Sequence, residues 1–247
     1  MFVSEHRRLT SRSGHGVQYL PGHVEPFVDL ILEEYLPDKG EILDLGGGGL
    51  RFALPVAATG RSITVVDLDP TVADLAMIVD RVNANDGSSL VAEQLASLIE
   101  RQVGDGLEFL ATTTRSFALI TAFRVIHLFS PRQIEEFFRV AYNALLPDGC
   151  LVVSGMTAFN LPITEELVFN EVFESSEPID EAQRLYRRFS KDQRASEVRR
   201  AHNLAVETHL LDSEFVAHQA YESGFDVVVD SYQSTRIVAG FVLQKRA

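Results

Sequence analysis

Four consecutive glycines, Gly46–Gly49, lie between a short apolar run at 41–45 and an amphipathic segment at about 51–59. The first segment has the length of a buried strand and the second the spacing of a helix. A strand-to-helix turn needs glycine where a ligand approaches the backbone, because side chains would block that approach. A plain flexible loop is the alternative. The position of the run directly after a strand favours a nucleotide-type ligand site.

The alternation of strands and helices continues along most of the chain. Further strands are expected at 63–66, 98–103, 117–123, 150–154, 225–229 and 237–243. This order predicts an α/β fold, with a Rossmann-like, seven-stranded, mostly parallel sheet and helices on both faces. The link at 230–236 is too short for a crossover helix, so we expect the last strand to be antiparallel to the sixth.

The alternation stops after the fifth strand. Residues 157–212 have a mostly helical pattern, with acidic residues in the first part and arginines in the second. We therefore expect a helical insertion there. Residues 1–24 are polar and contain several glycines, which is typical of an N-terminal arm. The α/β domain is expected to consist of residues 25–156 and 213–247.

Charge and composition disfavour several function classes. Asp and Glu number 35 against 22 Lys and Arg, a net charge of -13, and such a surface repels nucleic-acid phosphates. No run reaches the length of a membrane span, and the first residues lack the apolar core of a signal peptide. We expect a cytoplasmic protein with no nucleic-acid or membrane partner. Cys150, the single cysteine, is interpreted as a core residue, so neither a disulfide nor a cysteine metal cluster is expected.

Acidic residues follow three successive strands of the predicted sheet. Asp44 precedes the glycines by two positions, Asp67 ends the second strand and Asp105 follows the third. The carboxyl ends of parallel strands share one edge, where ligands of such sheets bind. Asp67 is placed to accept hydrogen bonds from both hydroxyls of a ribose. Asp105 suits the amino group of an adenine, and an ordinary Asp-Gly turn is an equally good interpretation of it.

The glycine pattern bears on which cofactor is bound. A dinucleotide fingerprint requires G-x-G-x-x-G, whereas Arg51 or Phe52 stands at its last position. The carboxylate of Asp44 is also unfavourable beside a pyrophosphate and suits a ligand with a positive centre or an ammonium group. The pattern disfavours a nicotinamide-dependent oxidoreductase, which stays as an alternative.

These motifs resemble those of class I S-adenosylmethionine-dependent methyltransferases. The first three motifs are matched by LDLGGGG at 43–49, VVDLDP at 65–70 and GDG at 104–106. The segments 122–128 and 145–153 resemble the family's stretches after strand four and around strand five. The resemblance covers about 40–156 and the closing hairpin at 213–244. There are three departures from the pattern. Leu50 replaces the third glycine of the first motif, the span from Asp67 to Asp105 is longer than usual, and Arg124 stands where the family often has Asn or Asp.

The resemblance implies S-adenosylmethionine as the cofactor. The residues that the matched motifs assign to it are Asp44, Gly46, Gly47, Gly48, Asp67, Leu68, Gly104, Asp105, Gly106 and Arg124.

The acceptor of the methyl group is less constrained. No Asp/Asn-Pro-Pro-aromatic motif follows strand four, which argues against amino-methylation of adenine or glutamine, and no Pro-Cys pair exists for a cytosine methylase. A small-molecule acceptor is expected. His127 is a candidate general base, although a pocket-lining role is an alternative. Tyr19, His127 and His209 are candidate acceptor contacts.

The insertion at 157–212 is interpreted as a lid over the acceptor. A solvated helical pair or a homodimer surface is the alternative interpretation. A non-catalytic protein that retains the cofactor pocket is a further alternative for the whole chain.

Overall fold

The computed structural model describes residues 9–10, 17–18, 26–76, 78–79, 89–156, 213–235 and 238–246. Its main element is a seven-stranded sheet. The strands are β1 (Glu41–Leu45), β2 (Ile63–Asp67), β3 (Ile99–Val103), β4 (Phe117–Phe123), β5 (Leu145–Met156), β6 (Phe225–Thr235) and β7 (Val238–Lys245).

The strand order across the sheet is β3-β2-β1-β4-β5-β7-β6. The strands from β1 to β5 pair in parallel, whereas β7 is antiparallel to both of its neighbours, β5 and β6. The predicted Rossmann-like sheet with an antiparallel last strand is therefore confirmed. The chain order reverses between β1 and β4, and ligands of open parallel sheets bind at such a switch point.

Helices cover both faces of the sheet, as predicted. One face carries α1 (Pro26–Leu30), α2 (Ala53–Ala58) and α3 (Ser89–Ser97), and the other carries α4 (Gly106–Thr112), α5 (Pro131–Ala144) and α6 (Ser213–Glu222). α1 continues into a π-helical turn, Ile31–Tyr35. Successive strand residues alternate between the two cores: Ile42 packs with α1 and α2, and Leu43 packs with α5.

The helix signals in the sequence act as local chemistry predicts. Ser130 caps α5 with a reciprocal capping box to Gln133, and Pro131 occupies the first turn. Pro55 lies in the first turn of α2, where its missing N–H removes no helical hydrogen bond.

Two predicted bounds differ from the structure. The fifth strand, expected at 150–154, begins earlier: residues 147–149 lie within β5, where the register against β4 shifts between Phe117 and Leu119. The expected link at 230–236 is largely part of β6, which extends to Thr235. Register shifts at three points of β6 take up the extra residues, while β7 keeps a continuous register with β5 on its other side.

An ionic network ties the amino ends of four strands, at the edge opposite to the glycines. Arg115, just before β4, donates to Glu41 of β1 at 2.7 Å and to Glu100 of β3 at 2.9 Å. Its third bond, at 2.9 Å, reaches the Thr64 hydroxyl of β2. The exposed ion pairs contribute little each, so the network serves mainly to align these strand ends.

The two remaining predicted segments are largely outside the described residues. Within 1–24, residues Leu9–Thr10 and Val17–Gln18 pair as a two-stranded antiparallel ribbon. All of 157–212 lies outside, so the helical insertion stays a prediction. In the described part of the chain, no helix combines the length and the hydropathy needed to cross a bilayer.

Candidate cofactor site

The turn after β1 is built so closely that glycine is required at two positions. Gly46 has a φ of +65° and donates its N–H to the Val66 carbonyl at 2.8 Å. A Cβ at Gly46 would overlap the Val125 side chain, and a Cβ at Gly47 would lie 2.7 Å from Asp44 Oδ2. The turn is therefore compressed between β2, β4 and the buried carboxyl of Asp44.

Asp67 is oriented by the same turn. Its Oδ2 accepts the Gly48 N–H at 2.8 Å and its Oδ1 accepts the Asp69 N–H at 2.7 Å. The Asp67 carbonyl also accepts the Gly104 N–H at 2.9 Å, which links the ends of β2 and β3. A carboxylate offers about four acceptor positions, so the half-buried Asp67 retains capacity for further donors such as ribose hydroxyls.

Asp44 lies beneath the glycine turn. Asp44 is only 2% exposed, and the Thr121 hydroxyl of β4 donates a hydrogen bond to Asp44 Oδ1 at 2.7 Å. Burial is the largest cause that raises the pKa of Asp44, to about 7, and the nearby charge of Asp67 adds to this rise. The hydrogen bond from Thr121 and the charge of Arg51 lower the pKa in opposition. The turn therefore holds a carboxyl that a nearby cation would help to ionise.

The turn after β3 is constructed differently. Asp105 is exposed and caps α4, since its Oδ1 accepts the N–H groups of Leu107 and Glu108 at 2.8 and 3.0 Å. A Cβ at Gly104 would meet open space, and one at Gly106 would approach Leu45 to 3.2 Å. The Asp-Gly turn expected as the alternative is thus present at the sheet edge where an adenine contact was predicted.

Exposed apolar side chains lie between these two turns. Leu68, directly after β2, is 71% exposed, and Val103, at the end of β3, is 51% exposed. Val103 pairs with Asp67 in the sheet, and Leu68 follows Asp67 in the chain, so both residues are neighbours of Asp67. Apolar surface at a strand edge suits a flat ring. Sequence reasoning missed Val103, although an apolar residue just before Gly104 was a usable signal.

The end of β4 forms the other wall. Arg124 has a left-handed φ of +59°, and its N–H donates to the Ser154 carbonyl at 2.9 Å and hydroxyl at 3.1 Å. His127 follows in a 3₁₀ turn, Ile126–Leu128, and is 8% exposed. This burial favours the pocket-lining role that the sequence allowed for His127.

The structure brings most of the predicted residues to one edge. The carboxyl ends of β1 to β4 carry Asp44, Gly46, Gly47, Gly48, Asp67, Leu68, Gly104, Asp105, Gly106, Arg124 and His127. Tyr19 and His209 lie outside the described residues. Sequence reasoning also missed Thr121, a lone polar residue in an apolar strand, and Ser154. No cluster of three potential metal ligands occurs within the described ranges.

The fold and the site together define a Rossmann-like domain that binds a nucleoside-containing cofactor at its switch point. A family model described as a methyltransferase domain matches residues 17–229, and the chain belongs to that family. The predicted family, that of S-adenosylmethionine-dependent methyltransferases, is thereby confirmed, together with the cofactor that the family uses. The match does not favour the oxidoreductase or the non-catalytic alternative. The comparison with curated proteins finds no match.

Solved structures share this fold. An O-methyltransferase family protein from Burkholderia thailandensis aligns with a TM-score of 0.59 at 18% identity, covering 90% of this chain and 56% of that chain. The pyocyanin biosynthetic protein PhzM aligns with a TM-score of 0.55 at 14% identity, covering 90% of this chain and 55% of that chain. A third structure is magnesium protoporphyrin IX methyltransferase from Synechocystis PCC 6803, solved with S-adenosylhomocysteine. It aligns with a TM-score of 0.54 at 12% identity, covering 96% of this chain and 85% of that chain. The chain thus spans just over half the length of the first two.

Proposed function

We propose that this protein transfers a methyl group from S-adenosylmethionine to a small-molecule acceptor. The observation that carries the proposal is the arrangement at the carboxyl ends of β1, β2 and β3. A compressed glycine turn, an oriented carboxylate and exposed apolar side chains lie there side by side. Similar solved proteins include one named for pyocyanin biosynthesis and one named for magnesium protoporphyrin IX, both small molecules.

The residues fit the cofactor chemically. Asp67 has acceptor capacity for the ribose hydroxyls, and the exposed side chains of Leu68 and Val103 offer apolar contact to adenine. The absence of side chains at Gly46 and Gly47 leaves backbone for a close approach. Asp44, beneath Gly47, supplies negative charge for the ammonium group of the methionine part.

Methyl transfer requires mainly that the acceptor atom is aligned with the methyl group of the cofactor. When bound, the cofactor supplies a sulfonium methyl group that a nucleophilic atom of the acceptor takes up, with the acceptor losing one proton. The chain's part is to hold both partners in line and to exclude water, which by itself lowers the barrier substantially. The glycine turn and Asp67 would fix the cofactor's position against the walls formed by Val125 and Arg124.

His127 is assigned to the wall of the site rather than to proton transfer. A general base must reach the acceptor within hydrogen-bond distance or through one water, and His127 is only 8% exposed. His127→Gln is then expected to lower kcat less than tenfold and to leave the pH profile of kcat unchanged. A loss of the acidic limb of that profile in the variant would instead assign the base to His127.

Calorimetric titration tests the cofactor assignment. S-adenosylmethionine and S-adenosylhomocysteine should bind with micromolar affinity, whereas NAD should not bind at millimolar concentration. NAD binding without S-adenosylhomocysteine binding would overturn the proposal. A screen with a labelled methyl donor, in which small hydroxyl- and amine-bearing compounds are offered beside protein and nucleic-acid acceptors, then identifies the substrate class. Labelling of protein or nucleic acid alone would contradict the small-molecule assignment.

The remaining sequence predictions belong to the same proposal. Residues 157–212 are proposed as the acceptor lid, with Tyr19 and His209 as acceptor contacts. A cytoplasmic location and a homodimer are also proposed, and sedimentation of the full chain checks the second. Alanine at Tyr19 or His209 should raise KM for the acceptor and leave the affinity for S-adenosylhomocysteine unchanged.

A further inference from the structure

Leu50 stands where the matched motif has its third glycine, and its backbone is left-handed. Its φ is +60°, a conformation that few residues other than glycine adopt, because the Cβ crowds the neighbouring carbonyl oxygen. Among the described non-glycine residues, Arg124 and Asp148 are the others with positive φ. A bulky leucine in this conformation indicates that its side chain makes a compensating interaction.

The compensating interaction is burial. Leu50 is 0% exposed and belongs to the core on the α1–α2 face, together with Phe27, Phe52 and Val56. Full burial of a leucine side chain outweighs the penalty of one left-handed residue. The side chain therefore points into the core, while the backbone of the same residue completes the cofactor turn.

The backbone of Leu50 closes the turn at both ends. Its N–H donates to the Gly47 carbonyl at 2.7 Å, and its own carbonyl accepts the Leu54 N–H at 3.0 Å, in the first turn of α2. Two residues earlier, the Gly48 N–H is directed at Asp67. Movement of Leu50 would therefore shift both the start of α2 and the amide that orients Asp67.

We propose that Leu50 is a positioning residue that anchors the cofactor turn to the core and so preorganises it for binding. A glycine at this position satisfies the backbone but leaves the turn free to sample other conformations, and ordering them on binding lowers the affinity. The inference rests on the proposed function only for the identity of the ligand, since the anchoring itself is a property of the cofactor-free chain.

Two variants separate the anchor from the backbone requirement. Leu50→Ala removes the anchor and keeps a Cβ, whereas Leu50→Gly removes the anchor and relieves the backbone strain. Leu119→Ala is the matched control, because Leu119 is equally buried in the same core but lies within β4, away from the turn. All three should lose stability, so stability alone does not discriminate, and each is assayed where it is fully folded.

Amide hydrogen exchange on the cofactor-free protein gives the first measurement. Both Leu50 variants should accelerate exchange at the Gly48 amide and at the amide of residue 50 at least tenfold, whereas Leu119→Ala should leave both rates unchanged. If the Leu50 variants exchange at these two amides as slowly as Leu119→Ala, the proposal that Leu50 anchors the turn is wrong.

Calorimetry with S-adenosylhomocysteine gives the second measurement. Both Leu50 variants should raise Kd about tenfold, equivalent to about 1.4 kcal/mol, with a more unfavourable binding entropy than Leu119→Ala shows. A Leu50→Gly variant that binds as tightly as the wild type would overturn the anchor. If the wild type itself does not bind, the proposed function fails, and the exchange rates still decide whether Leu50 anchors the turn.

Discussion

The turns after β1 and after β3 both contain glycines and an aspartate at the same sheet edge, but they tolerate change very differently. In the first turn, Gly46 lies against Val125 and Gly47 against Val65 of β2, and Asp44 is buried beneath them. In the second turn, Gly104 faces open space and Asp105 is exposed as a helix cap. Two similar glycine–acid patterns therefore carry different physical requirements.

This difference indicates that the two turns have different roles. The first turn is closely packed, and its shape depends on contacts with neighbouring parts of the sheet. The second turn begins a helix by local hydrogen bonds and offers a surface contact. We expect substitutions in the first turn to change both stability and cofactor binding, and substitutions in the second to change mainly local stability.

The largest expected effect concerns Asp44 and pH. Burial raises its folded-state pKa from 3.8 to about 7, so between about pH 4 and pH 7 the folded protein holds a proton that the unfolded chain releases. The contribution of this group to stability therefore falls as pH rises and levels off above about pH 7. At about 1.4 kcal/mol for each pH unit, the loss totals roughly 4 kcal/mol.

Asp44→Asn removes this titration. Urea unfolding of both proteins across the range should show the wild type losing stability relative to the variant as pH rises to about 7. A stability difference that is flat or of opposite slope would mean that Asp44 is ionised in the folded protein across this range.

The second prediction compares two glycine substitutions. Gly47→Ala places a Cβ 2.7 Å from Asp44 Oδ2 and against Val65, so we expect a loss of about 3 kcal/mol and at least tenfold weaker binding of S-adenosylhomocysteine. Gly104→Ala meets no atom within 4 Å and should stay within about 0.5 kcal/mol of wild type. Equal losses of stability in the two variants would remove the proposed distinction between the turns.

The third prediction concerns cofactor affinity. Asp67→Asn leaves an amide where two N–H groups and the ribose hydroxyls require acceptors, so we expect about 30-fold weaker binding, or about 2 kcal/mol. Asp105→Asn keeps an acceptor for the helix cap and should weaken binding less than threefold. Comparable losses in both variants would place as much of the cofactor recognition at Asp105 as at Asp67.

The smallest effect is expected at the helix cap. Asp105→Ala removes the acceptor for the Leu107 and Glu108 amides and should cost about 1 kcal/mol of unfolding free energy. Asp105→Ser restores a capping oxygen and should recover most of that loss. Thermal unfolding of the two variants measures the difference, and an Asp105→Ser variant as unstable as Asp105→Ala would contradict the capping role.

Much of the fold was predictable because its signals are local. Apolar runs of strand length, Ser130 before Pro131 and a glycine run after a strand each report on neighbouring residues alone. The antiparallel ending followed from the length of one link, even though β6 takes up most of that link. The irregular start of β5 was not predictable, since it depends on its register against β4.

The site was only partly predictable from the sequence. Asp67 was expected as an oriented carboxylate from its position at a strand end, and the structure adds the two amides that hold it. Thr121 was missed because its hydrogen bond joins residues 77 positions apart. Leu50 was noted as a departure from the motif, but its left-handed backbone and its buried side chain are visible only in the fold.

The sequence by itself determined the alternating elements, the parallel sheet and the edge at which acids and glycines meet, because hydrophobic periodicity and chain direction suffice for these. Only the tertiary structure decided which turn is closely packed, why Asp44 resists ionisation and what allows Leu50 to replace a glycine. These properties arise from contacts between strands distant in the chain, where packing and burial set the energies.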